Sequence, residues 1–174
     1  MIDAVSLVDG RRVCVRSLEP GDAGRLHRML QSLSEETVKW GMAPYRLEWV
    51  EGWLNTPALI QAAAEYEGEV VGFACIEEWT HPRRRGNGYL GVYAHRDFHD
   101  TELQSRLVGL VLDEAFRKGL HKVNTETVSA NAASVRLLGR HGFEVEGTRR
   151  DCFYGSDGCY YDTVVIGKVL DGCP

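Results

Sequence analysis

Asn131 and Ser134 stand three residues apart at the head of a short helical stretch, residues 131–141, so their side chains share one helix face. A side-chain amide donates and accepts hydrogen bonds at once, and a hydroxyl adds one donor and two acceptors. The pair suits a polar ligand arm, and Asn131 equally suits the cap of the helix it precedes. Glu77 and Glu78 fall near the end of a long apolar stretch, VVGFACIEEW at 70–79. Alternate residues of a strand face opposite sides, so one of the two carboxylates faces any cleft the strand borders and is a candidate proton acceptor there. Arg83, Arg84 and Arg85 crowd the turn that follows and read either as a solvated turn or as an anchor for an acidic substrate. The five cysteines (Cys14, Cys75, Cys152, Cys159 and Cys173) are odd in number and match no zinc spacing. Reduced thiols and no bound metal are expected.

The elements that must hold these residues follow from periodicity. Residues 12–16 read as a first strand. Glu19-Pro20-Gly21-Asp22 opens a helix, with Asp22 as its cap and Leu26, Met29 and Leu30 on its buried face. A second helix starts at Ser34, and 47–54 form a third that carries Trp49, Val50 and Trp53. Residues 59–66 and 70–79 make a hairpin about Glu67-Gly68-Glu69, and 89–94 continue the meander. The clearest helix covers 102–118, where Leu103, Leu107, Leu110, Val111 and Ala115 form an apolar stripe that Gly119 closes. Residues 121–128 alternate as a strand, and strands at 143–154 and 159–170 join through Gly155-Ser156-Asp157-Gly158. This order predicts an α/β fold of the α+β type, with helices on both faces of a mixed, mostly antiparallel sheet of about seven strands. One parallel crossover spans 89–128, and a ligand is expected where 89–94 turns into the long helix.

The whole chain bounds the reading further. Its 174 residues, 44% apolar and 26% charged, fit a single globular domain over 1–174. A net charge of −5 argues against nucleic acid as a partner. The opening MIDAVSLVDGRRV carries no apolar leader core, and no apolar run approaches the roughly 20 residues that span a bilayer. A cytoplasmic protein with no membrane partner is expected.

Three stretches then act together. DGRRVCVRSLEPGDAGRL stands near the start. Asn131-Ala132-Ala133-Ser134 is followed by Leu137-Leu138 and by His141-Gly142-Phe143-Glu144-Val145-Glu146-Gly147. YYDTVVIGKVL closes the pattern with an Asp before an apolar run. Spread over nearly the whole chain, they resemble the GNAT N-acetyltransferases, most of all the ribosomal-protein N-terminal (alanine) acetyltransferase branch. The resemblance implies an acyl-CoA N-acyltransferase fold whose sheet opens as a V between 89–94 and 121–128. It implies transfer of an acetyl group from acetyl-CoA to a primary amine on a protein N-terminus or a small molecule. Asn131 would then bond the pantetheine arm, the Val92 backbone the thioester carbonyl, and Ser134 would protonate the departing thiolate. Many members use a tyrosine where Leu138 stands, and a glutamate base where Tyr89 stands. The base is thus left to Glu77, Glu78 or Asp151, the last near the place of a carboxylate in the ribosomal branch.

One stretch departs from the resemblance. The family's pyrophosphate loop reads Arg/Gln-x-x-Gly-x-Gly/Ala, and its glycines let backbone N–H groups close on the phosphates. The matching residues here are His99, Asp100, Thr101, Glu102, Leu103 and Gln104, with Ser105 next, and no glycine among them. Carboxylates at Asp100 and Glu102 would repel a pyrophosphate by about 4 kcal/mol per charge pair at 4 Å and an effective dielectric of 20, or would serve only to stabilise the helix start. Two other readings stay open: a GNAT-fold module that binds or regulates without catalysis, and an interaction protein in which the fold serves as a platform for a homodimer.

Overall fold

The computed structural model describes residues 3–57, 59–99 and 101–170. Its strands are β1 (Asp3–Ser6), β2 (Arg12–Arg16), β3 (Leu59–Tyr66), β4 (Glu69–Glu78), β5 (Asn87–Ala94), β6 (Lys122–Val128), β7 (Glu144–Tyr154) and β8 (Tyr160–Val169). They form one eight-stranded sheet in the order β1-β2-β3-β4-β5-β6-β8-β7. The strand beyond the expected seven is β1. Its four residues are too few to show alternation, and it forms by pairing antiparallel with β2. Every neighbouring pair is antiparallel except β5 and β6. The crossover between those two strands carries α4 (Leu103–Arg117).

The remaining helices are α1 (Ala23–Gln31), α2 (Glu35–Trp40), α3 (Leu47–Leu54) and α5 (Ala132–Arg140). Leu26 and Met29 of α1 and Val50 of α3 pack with Phe73 on one face of the sheet. Leu103, Leu107 and Val111 of α4 pack with Ala74, Ile76 and Leu90 on the other. Each such aliphatic side chain, fully buried, contributes about 1.5–3 kcal/mol. Gly72 sets how closely α4 approaches: a Cβ there would lie 2.8 Å from Leu103 Cδ2 and 2.8 Å from Leu107 Cδ1. The absent side chain lets the first turns of α4 settle onto β4, which fixes the helix N-terminus near the end of β5.

One local expectation changes. Asp22 does not cap α1 through its side chain. Its carboxylate accepts from the Glu19 N–H at 2.9 Å and pairs with Arg16 at 2.7 Å and with Arg25. The Arg16 guanidinium, more than any other neighbour, holds the buried Asp22 carboxyl far below the usual carboxylate range. In α3, Val50 and Leu54 are buried and Trp49 is exposed. Ser34 does cap α2, accepting from the Thr37 N–H at 3.2 Å.

Candidate active site

Strands β5 and β6 pair only at Asn87↔Lys122, Gly88↔Val123 and Tyr89↔Asn124. Beyond Tyr89 they part, because each is held by its other neighbour. β4 pairs with β5 from Gly88 out to Ala94, while β8 pairs with β6 along its whole length to Val128. At the apex the Thr125 hydroxyl donates to the Leu90 carbonyl at 3.0 Å, taking up a ladder carbonyl where the strands diverge. The open arms expose backbone polar groups that a ligand can pair.

A cavity of about 190 Å3 fills the V, lined among others by Tyr89, Val92, Glu126, Asn131 and Ser134. A smaller one of about 80 Å3 shares Thr37, Val92, Asn131, Ser134 and Leu137 with it and continues to His99 and Gln104 at the start of α4. The two make one channel from the α4 N-terminus to the apex of the V. Asn131 caps α5, accepting from the Ser134 N–H at 3.1 Å, and its amide donates to Ser134 Oγ at 3.0 Å. Cys75 lies behind Gly91, and burial pushes its thiol up to about 12, which removes it as a nucleophile near neutral pH.

Of the residues singled out in the sequence, the channel therefore gathers Val92, His99, Gln104, Asn131 and Ser134. Three of the other loop residues are engaged elsewhere. Thr101 is buried with its hydroxyl donating to the Phe98 carbonyl at 2.7 Å. Leu103 belongs to the core, and Ser105 Oγ bonds His141 Nε2 at 2.9 Å. Glu102 precedes α4 with φ 61°, in the left-handed region, and its side chain caps no helix N–H. The backbone at Glu102 thus takes a conformation that favours glycine without a glycine there. Asp100 lies outside the described residues.

The three candidate bases do not line the channel. Glu77 is exposed on β4 opposite Tyr89. Glu78 borders a separate depression with Trp79, His81 and Arg85. Asp151 is exposed in a bulge of β7 at φ 48°, its N–H donating to Asp162 Oδ1 at 3.0 Å. Arg83 to Arg85 stay at the β4–β5 turn, at the closed end of the V, with Arg84 4.3 Å over the Trp79 ring.

The channel holds a carboxylate that sequence reasoning passed over, Glu126 of β6. It accepts from the Thr163 hydroxyl and pairs through Oε2 with Arg149 Nη1 at 3.1 Å, its side chain 22% exposed. Its only signal in the sequence was a charged residue within the alternating 121–128 stretch, at a position just past the strand pairing.

A parallel pair that splays apart, a helix N-terminus at the mouth and a channel between them define an acyl-CoA-dependent N-acyltransferase. The chain belongs to the acetyltransferase (GNAT) family, whose model matches residues 26–143. It is 31% identical over 121 residues to an L-methionine sulfoximine/L-methionine sulfone acetyltransferase of Pseudomonas aeruginosa, covering 67% of this chain and 70% of that protein. A GNAT-family acetyltransferase from Streptococcus pneumoniae superimposes with a TM-score of 0.81 at 25% identity, over 90% of this chain and 99% of that one. The ribosomal-protein-alanine N-acetyltransferase of Brucella melitensis superimposes with a TM-score of 0.78 at 24% identity, over 89% of this chain and 98% of that one.

Proposed function

We propose that this chain moves an acetyl group from acetyl-CoA to a small primary amine within the V, with Glu126 as the proton acceptor. The observation that carries the reading is the convergence of Val92, Asn131, Ser134 and Glu126 on one channel that begins at the N-terminus of α4. The α4 N-terminus presents backbone N–H groups and the positive end of a helix dipole to the pyrophosphate. Asn131 and the Val92 backbone, which has β4 on one side and no β6 partner on the other, hold the pantetheine and the thioester carbonyl. An ammonium must lose a proton before it attacks, and among the described residues Glu126 is the carboxylate that lines the cavity in the V, whereas Glu36 lines only the smaller cavity toward α4. The amine nitrogen then bonds the thioester carbon, the C–S bond breaks, and Ser134 passes its hydroxyl proton to the departing thiolate while the surplus proton of the acylated nitrogen returns to the Ser134 oxygen. L-methionine sulfoximine, named in the relative's activity, carries a primary amine beside a carboxylate, so it supports a primary amine as the attacking group and leaves the rest of the acceptor to the lining of this chain's own cavity.

Calorimetric titration with acetyl-CoA, followed by release of free CoA thiol over a panel of amines, tests this reading. Saturable binding and amine-dependent thiol release are expected. Binding without release for any amine would reduce the chain to a binding module.

A further inference from the structure

The acceptor end of the channel is built from rings. Trp40, Tyr45, Tyr89 and Tyr93 line it with Met42, and among its described lining residues Glu126 is the one Asp, Glu, Lys or Arg. Tyr45 and Tyr93 meet edge to face at 5.5 Å, and Trp53 stacks behind Tyr93 at 6.3 Å, so the wall is braced from the core. We propose that this site takes a compact cationic amine on an aromatic or apolar body, an arylalkylamine in kind, and turns away amines that carry a carboxylate beside the nitrogen. The proposal rests on the acetyl-transfer reading above and names its acceptor.

An ammonium entering this space meets the Glu126 carboxylate and the negative faces of the rings, both of which attract it. A carboxylate one carbon away would enter the same space with no cation to pair with and with Glu126 opposite it. Two described cations around it, Arg149 and Lys39, are engaged by other partners. Arg149 already holds Glu126 and is 60% exposed. Lys39 sits 4.5 Å over the Trp40 ring and borders the outer groove between α2 and the β7–β8 turn. Burial raises the Tyr45 and Tyr93 hydroxyls above their usual range, and burial followed by the Glu126 charge does so for Tyr89. All three rings therefore stay neutral where the enzyme works. The cavity of about 190 Å3 must also hold the thioester end, which confines the acceptor to a small molecule or a single terminal group.

The test compares matched acceptors with the full chain and saturating acetyl-CoA, following CoA thiol release. Tyramine and phenethylamine are set against tyrosine and phenylalanine, with L-methionine sulfoximine and phenylalaninamide alongside. The expected kcat/KM for tyramine exceeds that for tyrosine by at least about 100-fold. Phenylalaninamide, which keeps the bulk and removes the charge, should recover most of the loss seen with phenylalanine. Trp40→Ala should raise the KM for tyramine about tenfold while leaving the KM for acetyl-CoA within about twofold. Tyrosine or methionine sulfoximine turning over within about threefold of tyramine would overturn the proposal, as would rejection of phenylalaninamide to the same degree as phenylalanine. If acetyl-CoA binds and no amine is acetylated, the acetyl-transfer reading fails first and this one with it.

Discussion

Asn131 holds Ser134 from two sides, accepting from its backbone N–H at 3.1 Å and donating to its hydroxyl oxygen at 3.0 Å. A hydroxyl whose oxygen already accepts has its own proton to give, and Ser134 lines the channel into which that proton can point. One amide therefore ends the helix and also orients the proposed acid. Asn131→Ala should cost about 1 kcal/mol of stability through the lost cap and weaken acetyl-CoA binding by about 1–2 kcal/mol. Melting curves and calorimetry separate the two losses. Unchanged binding in this variant would leave Asn131 as a cap alone.

Ser134→Ala should leave the Kd for acetyl-CoA nearly unchanged and lower kcat, because a donor to the thiolate acts mainly in the transition state. The same variant with full turnover would place the acid elsewhere.

Glu126→Gln keeps the shape of the side chain and an oxygen for the Thr163 hydroxyl but removes the base. The expected loss in kcat/KM is about 10²–10⁴-fold, with little change in acetyl-CoA binding. Glu77→Gln, Glu78→Gln and Asp151→Asn should each stay within about threefold of the unaltered protein, since none of them lines the channel. A large loss in any of those three, with Glu126→Gln active, would reverse the assignment of the base.

Glu102 occupies the left-handed region at φ 61°, where a side chain costs about 1–2 kcal/mol. Glu102→Gly relieves that strain at the expense of a more flexible unfolded chain. The net expectation is about 0.5–1 kcal/mol of added stability together with tighter acetyl-CoA binding, because a carboxylate leaves the phosphate end. A thermal melt and a titration check both. If stability rises and binding does not, the Glu102 carboxylate already points away from the phosphates.

Acid should attack the fold through Asp22. Its carboxyl titrates far below the ordinary range in the folded protein, chiefly because of the Arg16 hydrogen bond. The unfolded chain therefore binds its proton first as pH falls. Stability from this group is fully present above about pH 5 and is lost progressively as pH drops through the unfolded carboxylate value near 4 toward the folded one. Asp22→Asn should lower stability near neutral pH by about 3 kcal/mol, since Arg16 and Arg25 lose a buried partner. It should also flatten the dependence of the melting temperature on pH below 5. An unchanged acid slope would assign the effect to other carboxylates.

Most of the architecture was legible because periodicity reports burial directly. The α4 stripe, the meander and the single parallel crossover all follow from which residues must be hidden. β1 was not legible, because four residues show no period and its existence depends on β2 as a template. The ligand end was partly legible. Asn131 and Ser134 announced themselves by spacing, whereas Glu77 and Glu78 satisfied strand alternation without reaching the channel. Alternation fixes a face and says nothing of how far along the strand the cleft extends. Glu126 was hidden for the converse reason: its role depends on β5 leaving β6 after Tyr89, an event set by β4 and β8 rather than by the residues around Glu126.

A crystal structure with acetyl-CoA tests the central claim most directly. The account predicts the pyrophosphate at the N-terminus of α4 and the thioester between Val92 and Asn131, with the acetyl carbon facing Glu126. Density for the cofactor outside the V, for example in the groove of about 510 Å3 between β2, β3 and α4, would contradict it.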